Sequence, residues 1–486
     1  MRNLSKFAAV LLGVVAVASI GSHWVFTASA ESARKRVEAA LDREQISSAE
    51  LRQDVAYLRH LLENVHPAEV PSNPVGDYRP ALDALEASLT GPLDHLGFYR
   101  LLAPVANLLN DEHTMVYPSE RDRDRFAGVD AKLLPFDVEI FDNRLYVASS
   151  PGDGFEIHSG DELLSINGQS ADNMIATLTR YYSGTGARQK QVYASHDLRA
   201  ALPLVLEIHE PFQIDVRHRE TGAVVQYVLE GARRPRPVRD DFRFELIAPG
   251  TMLFTWLAFE DEDDRFGDFL EEMFSVARDS NIRALIIDIR QNRGGAAACG
   301  DAVLAYLAES PFTQLQNVEV TVSEEVRAEF RSYIPALLRW LPLQYVHPLL
   351  RPLWTADPGQ TVVVETDFVG RSPDAPEFDG DVYLLTGPGT MSSASLFAAT
   401  MKKLDLVTIV GEESGGYATM YGNVIDARLP NSGLKVWMPT SVVAGHEEGP
   451  VVPDVRVSPV DGDLAELRDA VLDAATDLAS RRQGNR

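Results

Sequence analysis

Three patterns of apolar spacing follow one another along the chain. From about residue 31 to 110, apolar residues recur three and four positions apart, which predicts helices over 37–42, 51–62, 82–89 and 98–109. Ser47, Ser48 and Glu50 supply hydroxyls and an acid where the second of these starts, and Pro67, Pro71 and Pro74 mark a loop. The last helix runs into the polar stretch Asn110-Asp111-Glu112-His113-Thr114. From about 125 to 235 the pattern changes to runs of β type, at 138–141, 144–149, 163–168, 204–208 and 212–216. The Pro- and Arg-rich stretch 233–237 reads as a linker. Beyond it strands and helices alternate: a strand at 251–257, a helix at 266–278, an apolar strand at 284–289 and a helix at 297–307. A strand at 381–386 leads through Gly387-Pro388-Gly389-Thr390-Met391-Ser392-Ser393 into another helix, 406–410 is a further strand, and 463–480 reads as a closing helix. Such alternation implies a parallel sheet flanked by helices, with ligands bound beyond the carboxyl ends of its strands. Gly294-Gly295 and Ser393 should therefore converge.

These patterns divide the chain into an N-terminal segment 1–30, a helical domain 31–120, a β-rich module 121–235, an α/β domain 240–465 and a C-terminal helix and tail 466–486. Within the α/β domain, 313–375 reads as an insertion. Its apolar run 334–354 is broken by Pro335, Pro342, Pro348 and Pro352 and carries Arg339 and Arg351, so it is not a membrane span. A lid, a contact surface and a packing excursion all fit it. In the β-rich module, Gly160-Asp161-Glu162-Leu163-Leu164-Ser165-Ile166-Asn167-Gly168, followed by a helical stretch, resembles the signature of PDZ domains, whose carboxylate-binding loop has no counterpart here.

Composition narrows the partners. The 486 residues are 45% apolar and 24% charged, ordinary values for a globular chain. The net charge of −26 argues against nucleic acid or an anionic membrane surface as partner of the body. The single cysteine, Cys299, excludes an internal disulfide, a zinc–thiolate cluster and an iron–sulfur site, and reads as a small packing residue. At the N-terminus, Arg2 and Lys6 precede an apolar run from 7 to 20 and the small-residue site Ala28-Ser29-Ala30. This is the pattern of a signal peptide, with an uncleaved anchor over 7–26 as its rival. Export to a periplasmic or extracellular place is expected, with membrane contact only through this segment if it is retained.

Nucleophilic catalysis needs a hydroxyl or thiol, a base, an orienting group and N–H donors for an oxyanion. Ser393, with Ser392 as its competitor, stands at the positive end of a helix dipole, where an ordinary N-cap is also expected. Of the eleven histidines, His113 stands out, at the end of a helix among polar residues and before an apolar strand. Gly294-Gly295 allows close backbone approach to a substrate, or is a plain strand–helix turn.

Taken in order, Asp111-x-His113-Thr114, the Gly160–Gly168 motif, Leu285-Ile286-Ile287-Asp288-x-Arg290-x-Asn292-x-Gly294-Gly295, Ser392-Ser393-Ala394, Val410-Gly411-Glu412 with Gly415-Gly416, and Pro453-Asp454 resemble the tail-specific (carboxyl-terminal processing) and tricorn-type serine peptidases over roughly 50–465. The resemblance implies an α/β multi-domain fold with a ClpP/crotonase-like βαβ catalytic core, an N-terminal helical domain and a PDZ-like module. It implies Ser393 as nucleophile and the N–H groups of Gly294 or Gly295 and of Ala394 as oxyanion donors. The processing branch carries a lysine in a Gly-Lys-Gly turn, where this chain has Ser414-Gly415-Gly416-Tyr417. Lys402 and Lys403 come too early and Lys435 too late, so the resemblance points to the tricorn-like branch with His113 as base. That branch sets a glutamate shortly before Pro-Asp, which here means Glu447 or Glu448, and a hydroxyl before the histidine, where this chain has Glu112.

The implied activity is an exported serine endopeptidase acting on protein or peptide substrates, needing no metal or organic cofactor and compatible with a homo-oligomer. The alternative is a non-proteolytic protein binding lipophilic ligands on the same fold. A third, a crotonase-type acyl-CoA enzyme, fits poorly with an export signal.

Overall fold

The strands predicted after residue 240 pair into a six-stranded sheet whose order is Phe242–Ala248, Thr251–Trp256, Ala284–Asp288, Asp381–Thr386, Thr408–Gly411 and Val455–Arg456. The first pair is antiparallel and the others parallel. This is seen in a computed structural model that describes residues 43–67, 70, 74–150, 155–233, 241–261, 265–334, 341–347, 350–371, 378–458 and 468–484. The expected signal peptide or anchor, and most of the 233–237 linker, lie outside the described residues. Among the described residues, no helix is long and apolar enough to cross a membrane.

The two central strands are apolar almost throughout because helices cover both faces. Helices Arg265–Asp279, Ala297–Leu307 and Ser393–Lys403 cover one face, over a cluster that includes Trp256, Phe259, Phe266 and Phe397. The Ala470–Gly484 helix covers the other through Val471, Ala475 and Ala479. With Asp288 level with Leu385 in neighbouring parallel strands, the two following turns leave the same edge. They interlock there: Met391 N–H donates to the Asn292 carbonyl at 3.1 Å, and Thr390 Oγ1 to the Ile289 carbonyl at 2.8 Å.

A second, antiparallel sheet places Met115–Val116, Lys435–Ala444, Asn317–Thr321 and Thr361–Glu365 side by side, with Met420–Arg428 also paired to Lys435–Ala444. Its core is continuous with that of the N-terminal helices Ser48–Asn64, Arg79–Ser88 and His95–Ala106. The Ser47/Glu50 capping box starts the first of them. The segment 313–375 is thus no separate excursion: it contributes two strands to this sheet. Of its 334–354 run, 335–340 and 348–349 lie outside the described residues.

The module between these regions has its own core under the sheet Val138–Phe141, Arg144–Val147, Glu162–Ile166, Phe212–Arg217 and Val224–Leu229. The Glu162–Ile166 and Gln169–Ser170 strands are joined by Asn167 and Gly168, both at positive φ, as a tight hairpin requires. The run 204–208 is not the expected strand. It begins at the last residue of the helix Ala187–Leu204 and continues into the segment after it, where buried Leu204, Leu206 and Ile208 give it the apolar composition of a strand.

Phe397 is fully buried and meets the rings of Trp256 and Phe259 edge-on at 5.5 and 5.9 Å. Phe397→Ala is expected to lower the stability of the six-stranded α/β region by about 3–5 kcal/mol. Chemical denaturation would show this as a lower midpoint; an unshifted midpoint would contradict the packing described.

Candidate active site

The Asp381–Thr386 strand enters a turn that ends at Ser392, directly before the helix Ser393–Lys403. Ser392 has φ 53° and ψ −130°, a conformation uncommon for any residue but glycine. A strand–turn–helix strained in this way lifts a side chain clear of the sheet edge. The Ser392 Oγ lies 3.0 Å from Nε2 of His113. Ser393 turns the other way, and its hydroxyl donates to the Gly295 carbonyl at 2.7 Å. The hydroxyl that His113 reaches is therefore that of Ser392 rather than Ser393. The backbone at 392 explains why: its positive φ swings that side chain outward and leaves the first helical residue facing the glycine turn.

His113 stands two residues before Met115, where the short Met115–Val116 strand joins Lys435–Ala444. Asp111 fixes this approach, since its Oδ1 accepts from the N–H groups of His113 and Thr114, each at 2.5 Å. Its Oδ2 lies 3.3 Å from Nε2 of His66, whose ring leans on Tyr421 at 4.8 Å. Burial pushes the Asp111 carboxyl up, but the bond and charge of His66, with the bonds from Thr114 and His113, hold it below the usual range. Burial lowers the pKa of His113, against the charge of Asp111 and the backbone of Tyr421. Among the described residues, Nδ1 of His113 is buried without a hydrogen-bond partner.

Glu112 is buried between the two turns. Its Oε2 accepts from the Ser392 N–H at 3.2 Å and its Oε1 from the Tyr417 N–H at 2.9 Å. Burial pushes its carboxyl up to about 7; the two backbone bonds pull the other way and the charge of Asp111 adds to the rise.

The glycine turn closes the site on its second side. Gly294 has φ 87°, and a Cβ there would lie 2.8 Å from both Ser392 Cβ and the Ser393 nitrogen. Its N–H donates to Asn292 Oδ1 at 2.8 Å, and that of Ala394 to the Met391 carbonyl at 3.0 Å. Gly294 and Ala394, two of the three expected donors, are thus engaged within the protein. The N–H groups of Gly295 and Ser393 have no acceptor among the described residues.

Among the described residues neither Glu447 nor Glu448 is bonded to His113, whose Nε2 faces Ser392 and whose Nδ1 has no hydrogen-bond partner. Glu447 lies 3.6 Å from Lys402, and its carbonyl accepts from Thr419 Oγ1 at 2.8 Å. Lys402 is in the last turn of the helix that Ser393 starts, so Glu447 is paired with the opposite end of that helix from Ser392. The lysines are also elsewhere: Lys435 Nζ lies over the rings of Tyr117 and Trp437 at 4.6 and 5.1 Å. Cys299 is buried, its thiol pushed up to about 12 by burial, so it is no nucleophile at neutral pH. Among the described residues, no group of three or more His, Cys, Asp or Glu is placed to hold a metal.

Sequence reasoning missed three contributors. Asp111 was visible only as the first residue of a motif, and Glu112 only as a departure from a family hydroxyl; nothing in the sequence singled out His66. A fourth neighbour comes from the β-rich module. On the Ala187–Leu204 helix, the Tyr193 hydroxyl donates to the Met391 sulfur, and the Arg293 guanidinium lies 4.4 Å over its ring. One residue of that module thus touches both turns.

Residues 255–442 match the model of Peptidase family S41. Two solved structures share the fold along nearly the whole chain. Mature CPAF aligns with a TM-score of 0.63 at 18% identity, covering 89% of this chain and 96% of that one. Mature CPAF complexed with lactacystin aligns with a TM-score of 0.64 at 18% identity, covering 89% and 98%. No curated protein matches the chain. The residues that match the Peptidase family S41 model carry the Gly294–Gly295 turn and the Ser392–Ser393 pair, so the similarity to that family covers the part of the chain that builds this site.

Proposed function

We propose that the chain is an exported endopeptidase in which Ser392 is the nucleophile and His113 the base. The 3.0 Å contact between Ser392 Oγ and His113 Nε2 carries this reading. A lowered His113 pKa keeps the ring neutral at physiological pH, with its proton on Nδ1 and Nε2 free to accept. As Oγ adds to the peptide carbonyl carbon, His113 takes the hydroxyl proton and the carbonyl π pair moves onto oxygen. The N–H groups of Gly295 and Ser393 are suited to hold that oxyanion, one from each turn. His113 then passes the proton to the amine, the C–N bond breaks and an ester to Ser392 remains. Water attacks the ester in the same sense, with His113 again as base, and releases the new carboxylate. Burial disfavours the imidazolium formed on the way, and the charge of Asp111 and the backbone of Tyr421 offset part of that cost.

A Ser–His pair rather than a Ser–Lys dyad supports a reading closer to the tricorn-like branch than to the processing branch. Export follows from the basic, apolar and small-residue order of 1–30. The hairpin and helices of the β-rich module suit a PDZ-like role in presenting substrate, and Tyr193 joins that module to both catalytic turns.

Ser392→Ala is expected to lower kcat on an unfolded protein by at least about 10³-fold. Ser393→Ala removes one hydrogen bond of about 0.5–1.5 kcal/mol and should keep activity within about tenfold. The reverse order would return the nucleophile to Ser393. Gly294→Ala pushes a methyl group against Ser392 and the Ser393 nitrogen, and is expected to cut kcat by about 10²-fold while the protein stays folded. A fully active Gly294→Ala enzyme would refute the proposed fit of the two turns.

A further inference from the structure

The buried carboxylate of Glu112 has no part in the proton transfers above. We propose that ionised Glu112 is a positioning residue that holds the nucleophile's backbone in its left-handed conformation by accepting the Ser392 and Tyr417 N–H groups together. This rests on Ser392 being the nucleophile.

The geometry is specific. Each oxygen takes one donor, at 3.2 and 2.9 Å, and the donors belong to different turns. The second turn is pressed against the carboxylate: a Cβ on Gly416 would lie 2.5 and 2.7 Å from the two oxygens and 2.8 Å from Met391 Cα. The Gly416 N–H donates to the Thr390 carbonyl at 3.0 Å, which ties the same turn to the loop leading to Ser392. Glu112 also precedes His113 in the chain, so one peptide unit links the group that fixes the nucleophile's backbone to the base that meets its side chain.

An ionised carboxylate can accept on both oxygens; a protonated one carries a hydrogen on one of them and faces an N–H with another donor. Protonation therefore breaks one of the two contacts and loosens Ser392. The charged and titratable groups around Glu112 are Asp111 and His113 on its own segment, the Tyr193 phenol from the Ala187–Leu204 helix, and Tyr417 on the Gly415–Gly416 turn. Arg293 reaches it only across the Tyr193 ring. None of these donates a charged hydrogen bond to it, and burial raises its carboxyl to about 7. A carboxyl so raised titrates near neutral pH, and the competent form lies on the alkaline side.

The experiment is the pH dependence of kcat and KM for the wild type, Glu112→Gln and Ser392→Ala on one fluorogenic unfolded-protein substrate. The wild type should lose kcat/KM on the acid side through two ionisations, one near 7 from Glu112 and a lower one from His113. Glutamine must turn its NH2 toward one of the two donors. Glu112→Gln should therefore lower kcat by about ten- to a hundredfold with KM nearly unchanged, and its acid limb should keep only the lower ionisation. Wild-type kcat in Glu112→Gln, or an acid limb unshifted from the wild type, would overturn the proposal. Should Glu112→Gln fail to fold, the wild-type limb decides alone, and a single-proton limb overturns it. Full activity in Ser392→Ala would instead overturn the parent reading, which separates the two failures.

Discussion

Everything at this site depends on one backbone constraint, the left-handed conformation of Ser392. A serine gains nothing intrinsically from φ 53°, so the surroundings must impose it. Behind it the Ser393–Lys403 helix is anchored by Phe397 in the aromatic cluster. On one side the glycine turn comes so close that a methyl group at 294 has no room. On the other, a carboxylate grips the serine's own N–H. The parallel sheet supplies the frame, because adjacent strands of matched register deliver both turns to one edge.

Two neighbouring acids respond to burial in opposite ways, and the difference lies in their partners. Asp111 has a histidine and two N–H groups to receive its charge, so it stays ionised to low pH. Glu112 has two backbone N–H groups and an adjacent negative charge, and its carboxyl rises. One acid is a fixed strut beneath the base; the other is a strut that can be withdrawn. Keeping the second costs stability, since an ionised group in that place is disfavoured relative to the unfolded chain.

Much of this architecture is legible in the sequence because periodicity and turn chemistry report local geometry well. The strand–turn–helix units around 284–307 and 381–404, and the hairpin at Asn167-Gly168, are plain from spacing alone. What is lost is information held in three dimensions. The Asn317–Thr321 and Thr361–Glu365 strands are separated by a proline-broken run, so their pairing through Lys435–Ala444 has no local signature. The end of the Ala187–Leu204 helix and the segment after it have the apolar composition of a strand because Leu204, Leu206 and Ile208 are buried. Choosing between Ser392 and Ser393 needs the sign of one φ angle, which the residue type hides, since positive φ is usually marked by glycine or asparagine. Glu447 looked apt by its distance from Pro453-Asp454, but a lysine at the far end of the helix holds it away.

The short Met115–Val116 strand has a consequence for the cell that makes this protein. It brings in His113, which lies 279 residues before Ser392 in the chain, and it pairs with a strand made later still. A ribosome-bound or half-folded chain therefore holds its serine and its base apart until the closing strand is in place. The contact between serine and histidine on which the proposed chemistry rests is thus formed only after nearly the whole chain has been made.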